Sequence, residues 1–189
     1  MDKDFAYLLG AFGDGCIYQQ RQRGEYCIEY EQKVEAWLAN SVSPRFEKLY
    51  GKKPSVKKRN AKGMLFRLRL YSKKAFFEIK NAMQNLHLLL IEETEVKANF
   101  IRGFFDAEGS VPKRKHGTSY RLEIYQKDTS KLELIAKMLL KDFGIKPNRL
   151  TNSRDIGQLN IRGVENISKF RDLIGSGHPA KASSLRGLF

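Results

Sequence analysis

The chain has 189 residues, and 41% of them are hydrophobic, which is enough to bury a core and argues against a disordered protein. Lys and Arg number 35 against 21 Asp and Glu, so the net charge of +14 favours a polyanionic partner, nucleic acid first. No apolar run approaches the ~20 residues that cross a bilayer, and the opening residues lack the pattern of a secretory signal. Two cysteines cannot form a disulfide framework or a four-thiolate zinc site. These features predict a soluble, cytoplasmic protein without a membrane partner.

Hydrophobic periodicity predicts seven elements in the first half of the chain. Their order is helix, two strands, helix, two strands and helix. The predicted bounds are a helix over 4–13, strands over 15–23 and 25–32, a helix over 34–50 that restarts at Ser43 and Pro44, a second hairpin that includes 64–71, and a helix over 73–85. Apolar and polar residues alternate along the strands, so one sheet face packs and the other is polar.

The second half repeats this order at a nearly constant spacing. Its predicted elements are a helix over 95–107, strands over 109–115 and 119–126, a helix over 129–143, a hairpin that includes 158–162 and a helix over 164–174. Asp14 and Glu108 are 94 residues apart, and the Gln-Lys pairs Gln32-Lys33 and Gln126-Lys127 have the same separation.

Two copies are too few for a solenoid, so the repeat indicates a pseudo-twofold molecule whose internal interface resembles that of a homodimer. The sequence therefore predicts an α+β fold with two αββαββα halves, residues 1–93 and 94–189, in one compact unit.

Small residues lie on one face of each opening helix. Gly10 in the first helix and Gly103 in the second allow the two backbones to touch. If these helices pair, the acids that end them, Asp14 and Glu108, converge. Each acid precedes a glycine, which we expect to form a left-handed helix cap. An acid-Gly step is also an ordinary helix stop, so a purely structural role is the alternative.

Two carboxylates at the negative ends of two helices repel each other and need a compensating cation. The carboxylates and the helix-end carbonyls of Gly13 and Ala107 are oxygen ligands of the kind that Mg²⁺ accepts. A carboxylate-bound metal beside a basic sheet indicates phosphodiester hydrolysis, in which metal ions activate water and stabilise the leaving oxygen.

Gln32 and Gln126 end the second strand of each half, close to the predicted acid pair. Each amide is a candidate to orient a water molecule, and Lys33 and Lys127 are candidates to stabilise developing charge. The alternative is that all four are solvated strand ends.

The polar sheet faces predict a nucleic-acid interface. Two-stranded ribbons fit the major groove, where Arg reads guanine, Gln or Asn reads adenine and Glu reads the cytosine amine. The mixture of residue types indicates base reading beyond phosphate contacts, and the alternative for each member is an ordinary exposed strand residue. The candidate DNA-binding residues are Tyr18, Gln20, Gln22, Arg23, Glu25, Glu29, Lys57, Arg59, Arg67, Arg69, Tyr71, Arg114, His116, Arg121, Glu123, Tyr125, Arg149, Gln158, Asn160 and Arg162.

Ile101 to Gly109 resembles a complete LAGLIDADG motif, and Leu8 to Gly15 resembles a version that is one residue shorter. Over nearly its whole length the chain is similar to single-chain, two-motif LAGLIDADG homing endonucleases, particularly the compact archaeal intron-encoded type. The resemblance implies a saddle of two four-stranded sheets over a long asymmetric DNA site, with the motif helices at the interface. It also implies Mg²⁺-dependent cleavage that leaves 3′-hydroxyl overhangs, with Mn²⁺ as a substitute and Ca²⁺ supporting binding alone.

In this family the last acid of each motif binds metal, which maps onto Asp14 and Glu108, and a Gln-Lys position maps onto Gln32-Lys33 and Gln126-Lys127. The shorter first motif leaves the packing of the first helix open. The predicted function is that of a monomeric, site-specific homing endonuclease that hydrolyses both strands of double-stranded DNA and promotes intron mobility. An intron RNA maturase of the same fold is the first alternative, and a non-cleaving DNA-binding regulator is the second.

Overall fold

A computed structural model describes residues 1–20, 24–61, 63–112, 120–148, 150–153 and 155–188 of the chain. The first half opens with a helix that the Asp2 carboxylate caps by accepting hydrogen bonds from the Asp4 and Phe5 amides. The elements are α1 (Lys3–Gly10), a 3₁₀ turn (Ala11–Asp14), β1 (Gly15–Gln20), β2 (Glu25–Gln32), α2 (Glu35–Trp37), a π turn (Leu38–Val42), α3 (Ser43–Tyr50), β3 (Val56–Ala61), β4 (Gly63–Tyr71), α4 (Lys73–Gln84) and a 3₁₀ segment (Leu86–Ile91).

The second half begins with the longer motif helix and repeats the order. Its elements are α5 (Thr94–Glu108), β5 (Gly109–Ser110), β6 (Arg121–Gln126), α6 (Thr129–Phe143), β7 (Thr151–Ser153), β8 (Ile156–Arg162), α7 (Val164–Lys169), a π turn (Phe170–Ile174) and α8 (Pro179–Arg186). Helix α8 was not predicted, because it lies beyond the segment that repeats. The division at residues 93 and 94 stays a prediction.

Each half contains a four-stranded antiparallel sheet, and the strand order is the same in both: β1-β2-β4-β3 and β5-β6-β8-β7. This agreement confirms the predicted α+β architecture of two αββαββα halves. Ile28 and Tyr30 of β2 and Leu122 and Ile124 of β6 are fully buried against the helices, so the predicted apolar faces are correct. Within the described ranges, no helix is long and apolar enough to cross a membrane.

Of the described residues of the strand predicted over 109–115, Gly109 and Ser110 pair with β6, opposite Ile124 and Glu123. Pro112 follows two residues later and has no backbone N–H to donate to the ladder, which explains why the described pairing stops before it. Residues 113–115 of the predicted strand lie outside the described residues.

Helices α1 and α5 cross with their backbones in direct contact, as the small residues predicted. A Cβ placed on Gly10 would lie 2.0 Å from the carbonyl oxygen of Phe100, and one placed on Gly103 would lie 2.1 Å from that of Tyr7. No larger residue fits at either position without moving the backbone of the other helix. The crossing therefore depends on one glycine from each half.

The prediction that Gly15 and Gly109 form left-handed caps is wrong. Both are extended, with φ of −121° and −85°. They are small for a steric reason, because a Cβ on Gly109 would lie 2.2 Å from the ring of Phe105 and one on Gly15 would lie 2.8 Å from the ring of Phe12. The left-handed caps lie at the ends of the outer helices instead, at Gly51 (φ 65°) and Gly144 (φ 59°).

The shorter first motif is accommodated by a change of helix type. Where α5 continues as an α-helix to Glu108, the first motif helix tightens into a 3₁₀ turn over Ala11–Asp14. A 3₁₀ helix rises about 2.0 Å per residue, against about 1.5 Å for an α-helix, so four residues cover the length of five. The first motif helix therefore packs in the crossing as the second one does, but it ends in a 3₁₀ turn.

Candidate functional site

The two predicted acids meet where the motif helices cross. Asp14 ends the 3₁₀ turn after α1, and Glu108 ends α5. A Cβ placed on Gly13 would lie 2.3 Å from Oε1 of Glu108, so the carboxylate from the second half rests against the backbone of the first, one residue from Asp14. The arrangement forms one acid pair from the two halves of the chain.

Both carboxyl groups are harder to ionise than free ones. Burial, and after it the charge of the neighbouring Glu108, raise the pKa of Asp14 to about 7, although Lys181 and the hydrogen bond from Gln32 oppose the rise. Burial also raises the pKa of Glu108, against the effects of Lys181 and Lys131. Full ionisation of the pair is therefore favoured by any added positive charge.

Gln32 and Gln126 contact the acids in the same way in each half. Nε2 of Gln32 donates to Oδ2 of Asp14 at 2.7 Å, and Nε2 of Gln126 donates to Oε1 of Glu108 at 3.3 Å. Each amide oxygen accepts the backbone N–H of the next residue, from Lys33 at 2.7 Å and from Lys127 at 2.8 Å. Each glutamine is thus held at both ends and orients a carboxylate. Its action on a water molecule stays a prediction.

The side chains of Lys33 and Lys127 are exposed just after the ends of β2 and β6, and each follows the glutamine that contacts an acid. Their backbone amides are used to fix the glutamines. A role of either ammonium group in stabilising developing charge stays a prediction.

Lys181 of α8 is a site residue that the sequence did not reveal. Its Nζ donates to the carbonyl oxygens of Phe105 at 3.0 Å, Asp106 at 2.6 Å and Ala107 at 3.3 Å, at the carboxyl end of α5. Burial lowers the pKa of this ammonium group to about 8, although Asp106, Asp14 and Glu108 all raise it. Lys181 has no partner in the repeat, so the spacing argument that found the acids could not find it.

The donors at the crossing are the hard oxygen atoms that Mg²⁺ and Ca²⁺ accept. Among the described residues, no group of three or more His, Cys, Asp and Glu side chains could hold a metal ion. The carbonyl of Ala107 already accepts a hydrogen bond from Lys181, whereas Gly13 is exposed. Two carboxylates with the Gly13 carbonyl fit a divalent ion that takes its remaining ligands from water and from a bound phosphate.

The described candidate DNA-binding residues share one sheet face in each half, opposite the core. In the first sheet the register pairs Tyr18 with Cys27, Glu29 with Arg69, and Lys57 with Arg67. Residues on this face are Tyr18, Gln20, Glu25, Glu29, Lys57, Arg59, Arg67, Arg69 and Tyr71, and on the second sheet Arg121, Glu123, Tyr125, Gln158, Asn160 and Arg162. Gln22, Arg23, Arg114, His116 and Arg149 lie outside the described residues.

Carboxylates organise the arginines of the first sheet. Glu29 is 8% exposed and accepts hydrogen bonds from Arg69 and from the Tyr18 hydroxyl. Burial would raise the pKa of Glu29, but these hydrogen bonds and the charge of Arg69 lower it below its usual value. Arg59 donates twice to Glu31, at 2.8 and 2.6 Å. The arginines are therefore held in fixed positions, with part of their charge already neutralised.

The second sheet has a similar network around one glutamate. Glu123 is 5% exposed, pairs with Arg121 at 2.6 Å and accepts the Tyr125 hydroxyl at 2.7 Å. Gln158 donates to that hydroxyl oxygen at 3.1 Å and to the Asn160 amide oxygen at 3.2 Å. A preorganised polar face loses less side-chain entropy when it binds a ligand.

Two four-stranded sheets joined by crossed helices, each of which leads to an acid, are the arrangement that the resemblance to LAGLIDADG proteins implies. Residues 95–175 match the family described as the LAGLIDADG-like domain. The chain has this match in its second half, and its first half has the same strand order. Over 197 aligned residues it is 26% identical to the homing endonuclease I-ApeI of Aeropyrum pernix, and the alignment covers 96% of this chain and 85% of that protein.

Solved structures are similar to this chain over most of its length. The structure of I-DmoI in complex with DNA and Ca has a TM-score of 0.74 and 26% identity, covering 97% of both chains. The complex of I-DmoI with DNA and Mn has a TM-score of 0.71 and 25% identity, covering 92% of this chain and 96% of that one. The N-terminal LAGLIDADG domain of DUF199/WhiA shares the fold, with a TM-score of 0.65 and 20% identity over 92% of this chain and 81% of that one.

Proposed function

We propose that this chain is a homing endonuclease that binds a long, asymmetric double-stranded DNA site and hydrolyses both strands with the help of divalent metal ions. The activity of a site-specific DNA endonuclease is supported by the similarity of this chain to I-ApeI and to I-DmoI, and the structures of I-DmoI contain DNA. Hydrolysis of both strands and promotion of intron mobility are proposed in addition.

The observation that carries the proposal is the acid pair at the helix crossing. Asp14 and Glu108 come from opposite halves, and each is oriented by a glutamine at the end of the second strand of its own half. A chain that needed only to bind DNA would not need two partly buried carboxylates beside a polyanion, because they repel the phosphates. Their presence is explained by a reaction that requires negative ligands.

Asp14, Glu108 and the Gly13 carbonyl are the residues that would hold the metal. When bound there, a divalent ion supplies Lewis acidity toward a phosphate oxygen and lowers the pKa of a coordinated water molecule. Gln32 and Gln126 keep the carboxylates in place, and the exposed ammonium groups of Lys33 and Lys127 are available to the developing charge on the phosphate. Each half of the chain supplies one acid, one glutamine and one lysine. One such set for each DNA strand is the arrangement expected for cleavage of both strands.

We propose Mg²⁺ as the physiological ion, with Mn²⁺ as a substitute and Ca²⁺ as an ion that supports binding without cleavage. The structures of I-DmoI with DNA were obtained with Ca, with Mn and, in a variant, with Mg. The hard oxygen donors of the acid pair suit all three ions.

The two polar sheet faces are proposed as the DNA-binding surface. Their fixed arginines, glutamines and tyrosines can read base edges in the major groove, and the lysines contact phosphates. Because both motifs lie in one chain, the protein is proposed to act as a monomer, and the differences between its two sheets suit an asymmetric site. Binding should weaken steeply as salt rises, since each phosphate contact releases counterions.

The test is cleavage of a plasmid that carries the intron-less version of the host gene, in Mg²⁺, in Ca²⁺ and in EDTA. Wild type is expected to linearise the plasmid in Mg²⁺ alone, whereas D14N and E108Q should bind it without cutting both strands. E133Q, which removes an exposed carboxyl group of α6, is the matched control and should cut normally. Tight binding by wild type without cleavage would instead favour the regulator, and tighter binding of intron RNA would favour the maturase.

A further inference from the structure

The C-terminal segment after the last π turn crosses the interface and ends in the unpredicted helix α8. We name residues 175–186 the strap. Its Gly177 carbonyl accepts a hydrogen bond from Oγ of Ser41 in the first half at 2.9 Å, while the Gly177 amide donates to Asp106 in the second half at 2.9 Å. The strap is therefore tied to both halves.

Asp106 is the anchor of the strap and is completely buried. Besides the Gly177 amide it accepts hydrogen bonds from the Ser176 hydroxyl and, at 2.6 Å, from the hydroxyl of Tyr7. Tyr7 in turn accepts a hydrogen bond from Trp37 at 2.8 Å. A buried carboxylate with this many donors fixes the strap in one position on the motif helices.

The start of α8 is fixed as well. His178 is 5% exposed, and its ring packs against Trp37 with 6.0 Å between the centroids. Leu185, at the other end of α8, is also buried. The helix is thus held at both ends, and Lys181 extends from it toward the crossing.

Lys181 donates to three consecutive carbonyls at the carboxyl end of α5, the negative end of that helix. The same ammonium group interacts electrostatically with Asp14 and Glu108, one acid from each half. Holding a lysine in a partly buried place is costly unless nearby negative groups compensate. Here the compensating groups are those of the acid pair and the helix end.

We propose that Lys181 is a positioning residue of the acid pair. It fixes the carbonyl end of α5, and its ammonium group compensates part of the negative charge of Asp14 and Glu108, which the divalent ion compensates as well. The part that concerns the ion rests on the proposed function. Removing the ammonium group should leave the acid pair short of positive charge, so that the pair depends more strongly on an added ion.

The test measures thermal unfolding and Ca²⁺ affinity of the protein without DNA. Lys181→Met removes both the charge and the hydrogen bonds, Lys181→Gln keeps a donor without the charge, and Lys181→Arg keeps both. Lys169→Met is the matched control, because Lys169 also donates to a helix-end carbonyl, that of Gly144 at 3.4 Å, and pairs with Glu165. Lys169 is not among the groups that act on the acid pair.

We expect Lys181→Met to lower the melting temperature in EDTA and to regain a large part of the loss in Ca²⁺, so that the stabilisation by Ca²⁺ exceeds that of wild type. The apparent affinity for Ca²⁺ should rise about tenfold in Lys181→Met and Lys181→Gln, since a competing charge is removed. It should stay near wild type in Lys181→Arg and Lys169→Met. If Lys181→Met does not fold, Lys181→Gln provides the same comparison.

An equal loss of melting temperature in EDTA and in Ca²⁺ would show that the lysine only holds the strap, and would overturn the inference. So would the absence of any Ca²⁺ effect on wild type and on every variant. Neither result decides the proposed function, because the plasmid assay measures cleavage in the presence of DNA, whose phosphates complete the site.

Discussion

The two motif helices reach the same point by different routes. From Gly103 to Glu108, α5 takes five α-helical residues, which rise about 7.5 Å and turn about 500°. From Gly10 to Asp14, the first half takes four 3₁₀ residues, which rise about 8 Å and turn about 480°. Both acids therefore have nearly the same height and direction from the crossing. The position of the carboxylate is thus retained while the helix type changes.

The surroundings of the two acids differ more than their positions do. Two residues before Glu108 the second motif has Asp106, which anchors the strap, whereas two residues before Asp14 the first motif has Phe12, whose ring stacks edge-on against Tyr30 at 5.7 Å. Lys131 of the second half acts on Glu108, whereas Lys181 acts on both acids. The backbone therefore follows the pseudo-twofold relation more closely than the charged groups around the two acids do.

The greatest loss of stability should come from changes at the helix crossing, to which both halves contribute a glycine. Gly10→Ala and Gly103→Ala each force a Cβ to within about 2 Å of a backbone carbonyl of the other helix. We expect each to lower the free energy of unfolding by about 3 kcal/mol or more, because backbone must move on both sides. The measurement is urea unfolding of both variants.

Gly187→Ala is the control for these variants, because the nearest atom to an added Cβ lies at 3.6 Å and no strained backbone is involved. It should be within about 0.5 kcal/mol of wild type. If only one of the two crossing variants is destabilised, the crossing is not symmetric.

Asp106 has no acidic counterpart in the first motif, where Phe12 takes the same place before the acid. Asp106→Ala leaves the Tyr7 hydroxyl and the Gly177 amide without their acceptor in a buried site. We expect a loss of about 3 kcal/mol in unfolding free energy, together with faster proteolysis of the strap. Limited proteolysis followed by mass spectrometry locates the cut.

Phe12→Ala is the corresponding change in the first motif. It should destabilise the core beside Tyr30, since it removes a packed ring, but leave the strap protected. Equal proteolysis of the strap in both variants would mean that Asp106 is not its anchor.

The repeated elements and the acid pair were predictable because they follow local rules. Apolar alternation in β2 and β6 placed the core faces correctly, and small residues at helical spacing predicted the crossing at Gly10 and Gly103. An equal spacing of 94 residues from acid to acid and from Gln-Lys to Gln-Lys predicted that Gln32 and Gln126 lie beside them.

The strap and Lys181 were not predictable by the same reasoning. Lys181 reaches α5 across 74 residues of sequence, and no repeat partner or spacing marks it among the many lysines of a basic chain. The left-handed caps were misplaced because a glycine after an acid has two explanations, a positive φ or a crowded neighbour. Only the rings of Phe12 and Phe105 distinguish them. Periodicity and repeat spacing therefore do not predict the long-range contacts of single side chains.

The two acids should differ in their effect on the pH dependence of stability, measured in EDTA. The pKa of Asp14 is about 7 in the folded chain, above its ordinary value of 3.8, so between these pH values the folded state holds a proton that the unfolded state has released. Stability is therefore lost as the pH rises from about 4 to about 7. Asp14→Asn removes this loss and should be more stable than wild type at pH 8, by about 1 to 2 kcal/mol after allowance for solvent screening.

Glu108→Gln should show a smaller gain at pH 8. Burial raises the pKa of Glu108 as well, but Lys181 and Lys131 both lower it. Unfolding curves at pH 5 and pH 8 for both variants give the comparison, with E133Q as the control whose two curves should match those of wild type. A larger gain in stability from Glu108→Gln than from Asp14→Asn would contradict the conclusion that Glu108 has more compensating positive charge than Asp14.

The glutamines that orient the acids should contribute least to stability. The hydrogen bond from Gln32 to Asp14 is 2.7 Å long and that from Gln126 to Glu108 is 3.3 Å, so the first should contribute more. Gln32→Met should lower the unfolding free energy at pH 8 by about 1 kcal/mol and Gln126→Met by less, because each amide stabilises the ionised acid. Carbon-13 NMR titration of the carboxyl groups should show the pKa of Asp14 rising in Gln32→Met and that of Glu108 rising in Gln126→Met. A pKa that moves in the opposite acid instead would mean that each glutamine acts across the interface, and that the two halves share one centre rather than holding two similar ones.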